Sequence, residues 1–148
     1  MTTNIDTELA ISEAEWEVMR VVWSQGSITN RQLIDTLILS KDWKEGTIKT
    51  LLTRLTQKGY IKKDISQSPY LYTATIKQQD ANIHKMHQSL AHVCNKKHGT
   101  LLFEIIKDID LSKNDISALQ DLLRNKMDSA PVEVACHCEP GKCQCYYE

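Results

Sequence analysis

Ten residues near the C-terminus carry the most specific chemistry in this chain. Cys136-His137-Cys138-Glu139-Pro140-Gly141-Lys142-Cys143-Gln144-Cys145 follows a CxCxxxxCxC pattern. Two cysteines separated by one residue cannot bridge to each other without severe strain, yet both sulfurs can bind one metal ion. Pro140-Gly141 is a turn dipeptide that lets the second pair fold back over the first. The spacing therefore brings four thiolates together, from Cys136, Cys138, Cys143 and Cys145. Such a set suits tetrahedral Zn(II), and soft thiolates in a compact cluster suit Cu(I) as well or better. Structural zinc fingers mostly use CxxC, so CxC leans toward a copper-thiolate centre. A permanent zinc knot that only orders the tail is the competing reading. His137 lies inside the motif, but four thiolates already complete a tetrahedron.

The chain has five cysteines, an odd number, with four of them in the last thirteen residues. A disulfide framework would spread them out to staple distant segments, whereas clustered thiols in a reducing compartment act as metal ligands or redox centres. The fifth, Cys94, falls in a stretch with His84, His87, His92 and His98. Only His84 and His87 share a helical face, so the expectation here is solvent-facing histidines and a packed Cys94, not a second metal site. No Ser/His/Asp set, phosphate-cradling glycine loop or paired-carboxylate pocket is recognisable, and the chain is not expected to be an enzyme.

These residues belong to a chain of ordinary globular composition, 25% charged and 41% apolar over 148 residues. No apolar run approaches the ~20 residues that span a bilayer. The N-terminus is acidic where a signal peptide would be basic, so a cytoplasmic protein with no membrane partner is expected. The net charge of -1 conceals an asymmetry. Asp6, Glu8, Glu13, Glu15 and Glu17 crowd the start, whereas Lys49, Arg54, Lys58, Lys62 and Lys63 occupy residues 46–63 without an acid among them. A local basic stripe, not the total charge, governs phosphate binding.

The elements that must position these groups can be read from capping and periodicity. Ser12 with Glu15, and Thr29 with Gln32, are capping boxes, with Ile11 and Ile28 as staple residues before them. The first helix repeats Trp16, Met19, Val22 and Trp23 until Gly26, and the second carries Leu33, Ile34, Leu37 and Ile38. A third runs from about Thr47 to Lys58 and closes at Gly59. Its apolar face is Ile48, Leu51, Leu52 and Leu55, and the Trp16/Met19/Trp23 and Leu33/Leu37 faces complete the expected core. Tyr60–Ile65 and Tyr70–Thr75, separated by Ser66-Gln67-Ser68-Pro69, form a hairpin. Three helices and a hairpin make a winged helix-turn-helix, so residues 1–76 are expected to bind DNA. The fold class is mainly α with a small β-hairpin.

The outward face of the third helix offers Thr47, Lys49, Thr50, Thr53, Arg54 and Gln57, groups that contact base edges and phosphates, with Lys62 and Lys63 on the wing. Thr50 and Thr53 are suited to touch a thymine methyl or to donate to base acceptors. Residues 77–130 then turn wholly helical. Ile83, Met86, Leu90 and Val93 step by three and four. Leu101, Leu102, Ile105, Ile106 and Ile109 form a dense cluster, and a last helix opens at Ser112 with Asp115 and carries Ile116, Leu119, Leu122 and Leu123. This exceeds what a winged helix needs to cover itself, and a homodimer interface is its natural use. Folding back onto the first domain is the alternative. Pro131 opens the cysteine tail, residues 131–148.

Gly46-Thr47-Ile48-Lys49-Thr50-Leu51-Leu52-Thr53-Arg54-Leu55, with Lys58-Gly59-Tyr60-Ile61, resembles the recognition helix of the penicillinase-repressor family. Ser12-Glu13-Ala14-Glu15-Trp16-Glu17-Val18-Met19 with Val22-Trp23 resembles its first helix. The resemblance spans about residues 9–127. It implies a dimer of winged-helix domains that represses a double-stranded operator of dyad symmetry, with the chain beyond the wing as the dimerisation part. With the cysteine tail added, the chain resembles the copper-responsive CopY group. That likeness implies Zn(II) on Cys136, Cys138, Cys143 and Cys145 in the DNA-bound form. It also implies Cu(I) as the inducer that releases the operator, a copper-export regulon and a copper chaperone as donor. A β-lactam-responsive repressor switched by proteolysis, a copper-binding carrier, and a sensor of another thiophilic ion such as Cd(II) or Ag(I) are the competing readings.

Overall fold

The computed structural model describes residues 9–145; Asp6 and Glu8 of the acidic N-terminus and residues 146–148 of the tail lie outside them. The chain forms two compact units, Met1–Met86 and His87–Glu148.

In the first unit α1 (Glu13–Gln25), β1 (Ser27–Thr29), α2 (Asn30–Lys41), α3 (Glu45–Gln57), β2 (Ile61–Asp64) and β3 (Leu71–Ala74) follow in order, and α4 (Gln78–Ala91) begins. Local chemistry sets most of the boundaries. The Ser12 and Thr29 hydroxyls each accept from the backbone N–H three residues on, and Glu15 and Gln32 close reciprocal capping boxes. Gly26 ends α1 at φ 77°, and Gly59, at φ 86°, follows α3 where the chain must reverse into β2. The start of α3 differs from expectation. Its N-cap is Lys44, which makes no side-chain cap, so no capping residue marks the start and the helix begins two residues before Thr47.

The wing has three strands, in the antiparallel order β1-β3-β2. Ile28, expected only as a staple before α2, lies in β1 opposite Tyr72. It is fully buried, and this added strand closes the sheet against the helices.

Val18, Met19, Val22, Leu33, Ile34, Leu37, Ile48, Leu51, Leu52, Leu55, Ile61 and Tyr72 join Ile28 in the core. Leu33, Leu37 and the four α3 residues lie where the periodicity puts them. Trp16 and Trp23 do not: both are half-buried, and Val18 and Val22 take the core positions. The two indoles meet edge-on, 5.4 Å between centroids. Trp23 Nε1 donates to Ile76 O at 2.9 Å, a bond that a ring sunk in the apolar centre would forfeit.

A buried carboxylate ties the start of α1 to the end of α3. Glu15, 3% exposed, accepts from Lys58 Nζ at 2.8 and 2.9 Å, and the same ammonium donates to Ala10 O at 3.0 Å. Burial works to raise the Glu15 carboxyl, but the hydrogen bonds from Lys58 and Ser12 outweigh it and hold the group below its ordinary value.

The second unit contains the end of α4, a short 3-10 turn (Asn95–Lys97), α5 (His98–Asp108), α6 (Lys113–Met127) and the tail. Ser112 and Asp115 form a third capping box. Neither α5 nor α6 has a buried residue. The first unit holds the buried core, and the second presents an open apolar surface.

Candidate metal centre and nucleic-acid interface

The tail folds back as its Pro-Gly pair predicts. Lys142 N donates to Glu139 O at 3.1 Å across Pro140 and Gly141, with Gly141 at φ 83°. Proline second and a positive-φ glycine third is the type II pattern. A Lys142–Glu139 ion pair at 2.6 Å spans the same turn. Sulfur then meets sulfur across it: Cys136 to Cys143 at 3.5 Å, Cys136 to Cys145 at 3.5 Å, and Cys138 to Cys145 at 3.9 Å. All four predicted cysteines are half-buried.

Cys94 stands among them. Its sulfur lies 3.3 Å from that of Cys145 and 3.8 Å from that of Cys136. The sulfurs of Cys94, Cys136, Cys138 and Cys145 all lie within 4.8 Å of one another. Four thiolates about 2.3 Å from one Zn(II) would have their sulfurs about 3.8 Å apart, so this donor set fits the ion. The expectation of a merely packed Cys94 is corrected: nothing in its local sequence points to cysteines 42 and 51 residues away.

The sulfurs share their protons unevenly. The backbone N–H of Lys96 lowers the Cys94 thiol, that of Cys138 lowers Cys136, and that of Cys145 lowers Cys143. Hydrogen bonding to Cys136 drives the Cys138 thiol far up, and hydrogen bonding to Cys94 raises Cys145 to about 12. Metal binding to thiols releases protons of this kind.

The nearby histidines are not solvent-facing as a group. His84 is buried, and His98 Nε2 lies 2.9 Å from Leu90 O and 2.8 Å from Val93 O. His98 thereby straps the start of α5 to the end of α4.

In the first unit, Thr47, Lys49, Thr50, Thr53, Arg54 and Gln57 are all exposed on α3, as are Lys62 and Lys63 on β2. Thr53 and Gln57 share a cleft with Lys63 and Tyr72, so helix and wing converge there. The hydroxyls differ from expectation. Thr50 Oγ1 donates to Gly46 O and Thr53 Oγ1 to Lys49 O, each at 2.9 Å. Their protons are committed within the helix, leaving oxygen lone pairs and methyl groups to offer a partner.

Residues of α2 and the hairpin, with Glu45, extend this face. Glu45 pairs with Lys49 at 2.9 Å and with Arg31 at 3.4 Å, and Lys49 above all holds its carboxyl below the ordinary value. Arg31 lies with Thr29, Asn30, Lys63 and Tyr70 around a larger cleft between α2 and the hairpin. Lys63 Nζ stands 4.6 Å from the Tyr70 ring centroid. A lone Arg on a helix gives no signal in sequence, because the sheet brings the wing to it.

The expected dimerisation residues divide. Ile83, Met86, Leu102, Ile105, Ile106, Leu122 and Leu123 are exposed, whereas Leu90, Leu101 and Leu119 are half-buried. Val93 lies beyond the end of α4 at Ala91, so the stripe expected there stops at Leu90. Phe103 and Met127, 64% and 75% exposed, enlarge the open apolar surface.

The sequence pattern of the penicillinase repressor family matches residues 11–125. The chain belongs to that family. Its curated relatives include a 16.5 kDa protein encoded in the 3′ region of ptsI in Latilactobacillus sakei, 43% identical over 138 residues, 93% of this chain and 94% of that one. The methicillin resistance regulatory protein MecI of Staphylococcus aureus is 29% identical over 116 residues, 78% of this chain and 94% of its own. Among solved structures, the DNA-binding domain of the repressor BlaI is 35% identical and matches with a TM-score of 0.46, covering 50% of this chain and 90% of that domain. As a family member the chain is a transcriptional repressor with a DNA-binding domain. The cysteine tail lies beyond the residues that the family pattern matches. Among the described residues no helix is long and apolar enough to cross a membrane.

Proposed function

We propose that this repressor senses copper: as a homodimer it binds a palindromic operator, and Cu(I) taken up by the cysteine tail releases it. The observation that carries the reading is the convergence of Cys136, Cys138, Cys143 and Cys145, in a chain whose helix-turn-helix and hairpin contain no cysteine. These residues would hold Zn(II) in the DNA-binding form, as tetrahedral thiolate sites do, and soft thiolates favour its exchange for Cu(I). The apolar surfaces of α5 and α6 support a second copy as their partner, since neither helix buries a residue of its own. In that reading Lys49, Arg54, Lys62 and Lys63 face phosphates and base edges, with Thr50, Thr53 and Gln57 on the groove side. The genes controlled are those of copper export, and a copper chaperone is the donor.

Induction requires Cu(I) to favour the DNA-free conformation; equal affinity for both forms shifts nothing. One Zn(II) and two Cu(I) carry the same charge, so geometry is the better carrier of the signal. The test is anaerobic. Zinc-loaded protein is bound to a labelled operator upstream of a copper-export gene, and Cu(I) is titrated while anisotropy is followed. Release saturating at a small fixed ratio of copper to protein is expected. Tight binding indifferent to copper would make the tail a zinc knot and move the inducer elsewhere. A β-lactam signal, as the names of the relatives suggest for them, would then be the reading to pursue.

A further inference from the structure

We propose that Cys94 is itself a metal ligand of the thiolate centre, so that the ion ties the tail to the turn between α4 and α5. The inference rests on the metal-binding reading above and deepens it.

Cys94 sits as close to the tail sulfurs as they sit to one another, 3.3 and 3.8 Å against 3.5 to 3.9 Å. The compact quartet is Cys94, Cys136, Cys138 and Cys145, with Cys143 beside it at 3.5 Å from Cys136. Tetrahedral Zn(II) needs four donors, and this quartet supplies them with Cys94, from outside the motif, in the place that the tail alone would give to Cys143. The position of Cys94 is set independently of the tail. Its carbonyl accepts from Lys97 N at 2.9 Å in the 3-10 turn, and the His98 imidazole bonds the carbonyls of Leu90 and Val93 just before it. A ligand on ordered backbone, joined by ligands on a loop, makes a site half preformed.

The connection has a mechanical meaning. Cys94 precedes α5 and Cys136 follows α6, so an ion shared between them closes a loop of 42 residues around both helices. Any exchange that alters how many sulfurs surround each ion then acts on both ends of the helical pair. Five thiolates also leave room for a second soft ion without discarding Cys94.

The test uses the full reduced chain, with and without one equivalent of Zn(II), challenged with iodoacetamide, and mass spectrometry to locate each alkylated cysteine. Zinc is expected to slow alkylation of Cys94 at least about tenfold, alongside Cys136, Cys138 and Cys145. Protection of the tail cysteines with Cys94 reacting equally fast in both states would overturn the proposal. Protection of none would bring down the metal reading and this proposal with it. Chelator competition gives a second readout. Loss of supporting residues around a metal already costs about 10–100-fold in affinity, so Cys94→Ser is expected to weaken Zn(II) at least about tenfold, and more than Cys143→Ser does. Wild-type affinity in Cys94→Ser would refute it.

Discussion

Glu15 sits in an environment that its sequence neighbourhood does not announce. It reads as one more acid in an acidic N-terminus, yet it is buried against Lys58, 43 residues away. Glu15→Gln keeps the capping box, because glutamine serves equally at that position, and removes only the ion pair. With Lys58 partly exposed, the expected loss at neutral pH is about 1–2 kcal/mol. The folded-state carboxyl lies below its ordinary value of 4.5, so its contribution is present above that pH and fades as acid titrates the folded group. Melting curves should show the gap between wild type and Glu15→Gln narrowing as the pH falls below 4.5. Thr50 and Thr53 of α3 donate their hydroxyl protons to backbone carbonyls of the same helix. If their protons stay on Gly46 and Lys49, Thr53→Val should change operator affinity by less than about 1 kcal/mol, while Thr53→Ser, which loses the methyl, should cost more. Anisotropy with the operator distinguishes the two.

At the scale of elements, what the sequence revealed was what is local. The three capping boxes at Ser12, Thr29 and Ser112 involve residues three apart, and all three form. The Pro-Gly turn of the tail and the closing role of Gly59 were legible for the same reason. The start of α3 was not, because Lys44 makes no side-chain cap. Nor was β1: three residues are too few for a period, and its partner Leu71–Thr73 lies more than forty positions on. In α1 the spacing allowed two neighbouring faces that share Met19; the buried one carries Val18 and Val22, while Trp23 keeps its indole N–H on Ile76 O. Val93 shows the reverse error, a helical step continued past the point where the helix stops. Because α6 buries none of its residues within the chain, its cap matters more than usual. Ser112→Ala should cost about 1 kcal/mol in denaturant unfolding, and an unchanged midpoint would mean that packing alone holds the helix.

For the whole molecule, the candidate site was half legible. The motif cysteines announce themselves by spacing, whereas Cys94 and Arg31 join their clusters only through the fold. The open apolar surface of α5 and α6 is the largest feature that a single chain leaves unexplained. Ile106→Asp places a charge on that surface, where the native side chain is exposed. Sedimentation equilibrium should then report a monomer, and operator binding should weaken at least about tenfold through loss of the second half-site. A variant that remained dimeric would place the interface on another surface.

Glu45 gives the repressor an internal counterion. In the free protein it already neutralises part of Lys49 and Arg31, so binding at those two positions exchanges one partner for another, and the freed carboxylate takes up part of the cations that the duplex gives off. Affinity should therefore fall less steeply with salt than a tally of exposed basic residues suggests. Glu45→Gln should steepen the slope of log K against log salt by up to about 0.9 for each phosphate contact restored. Reading the operator in the crowded ionic medium of a cell would then depend less on ionic strength, with some raw affinity given up for that constancy.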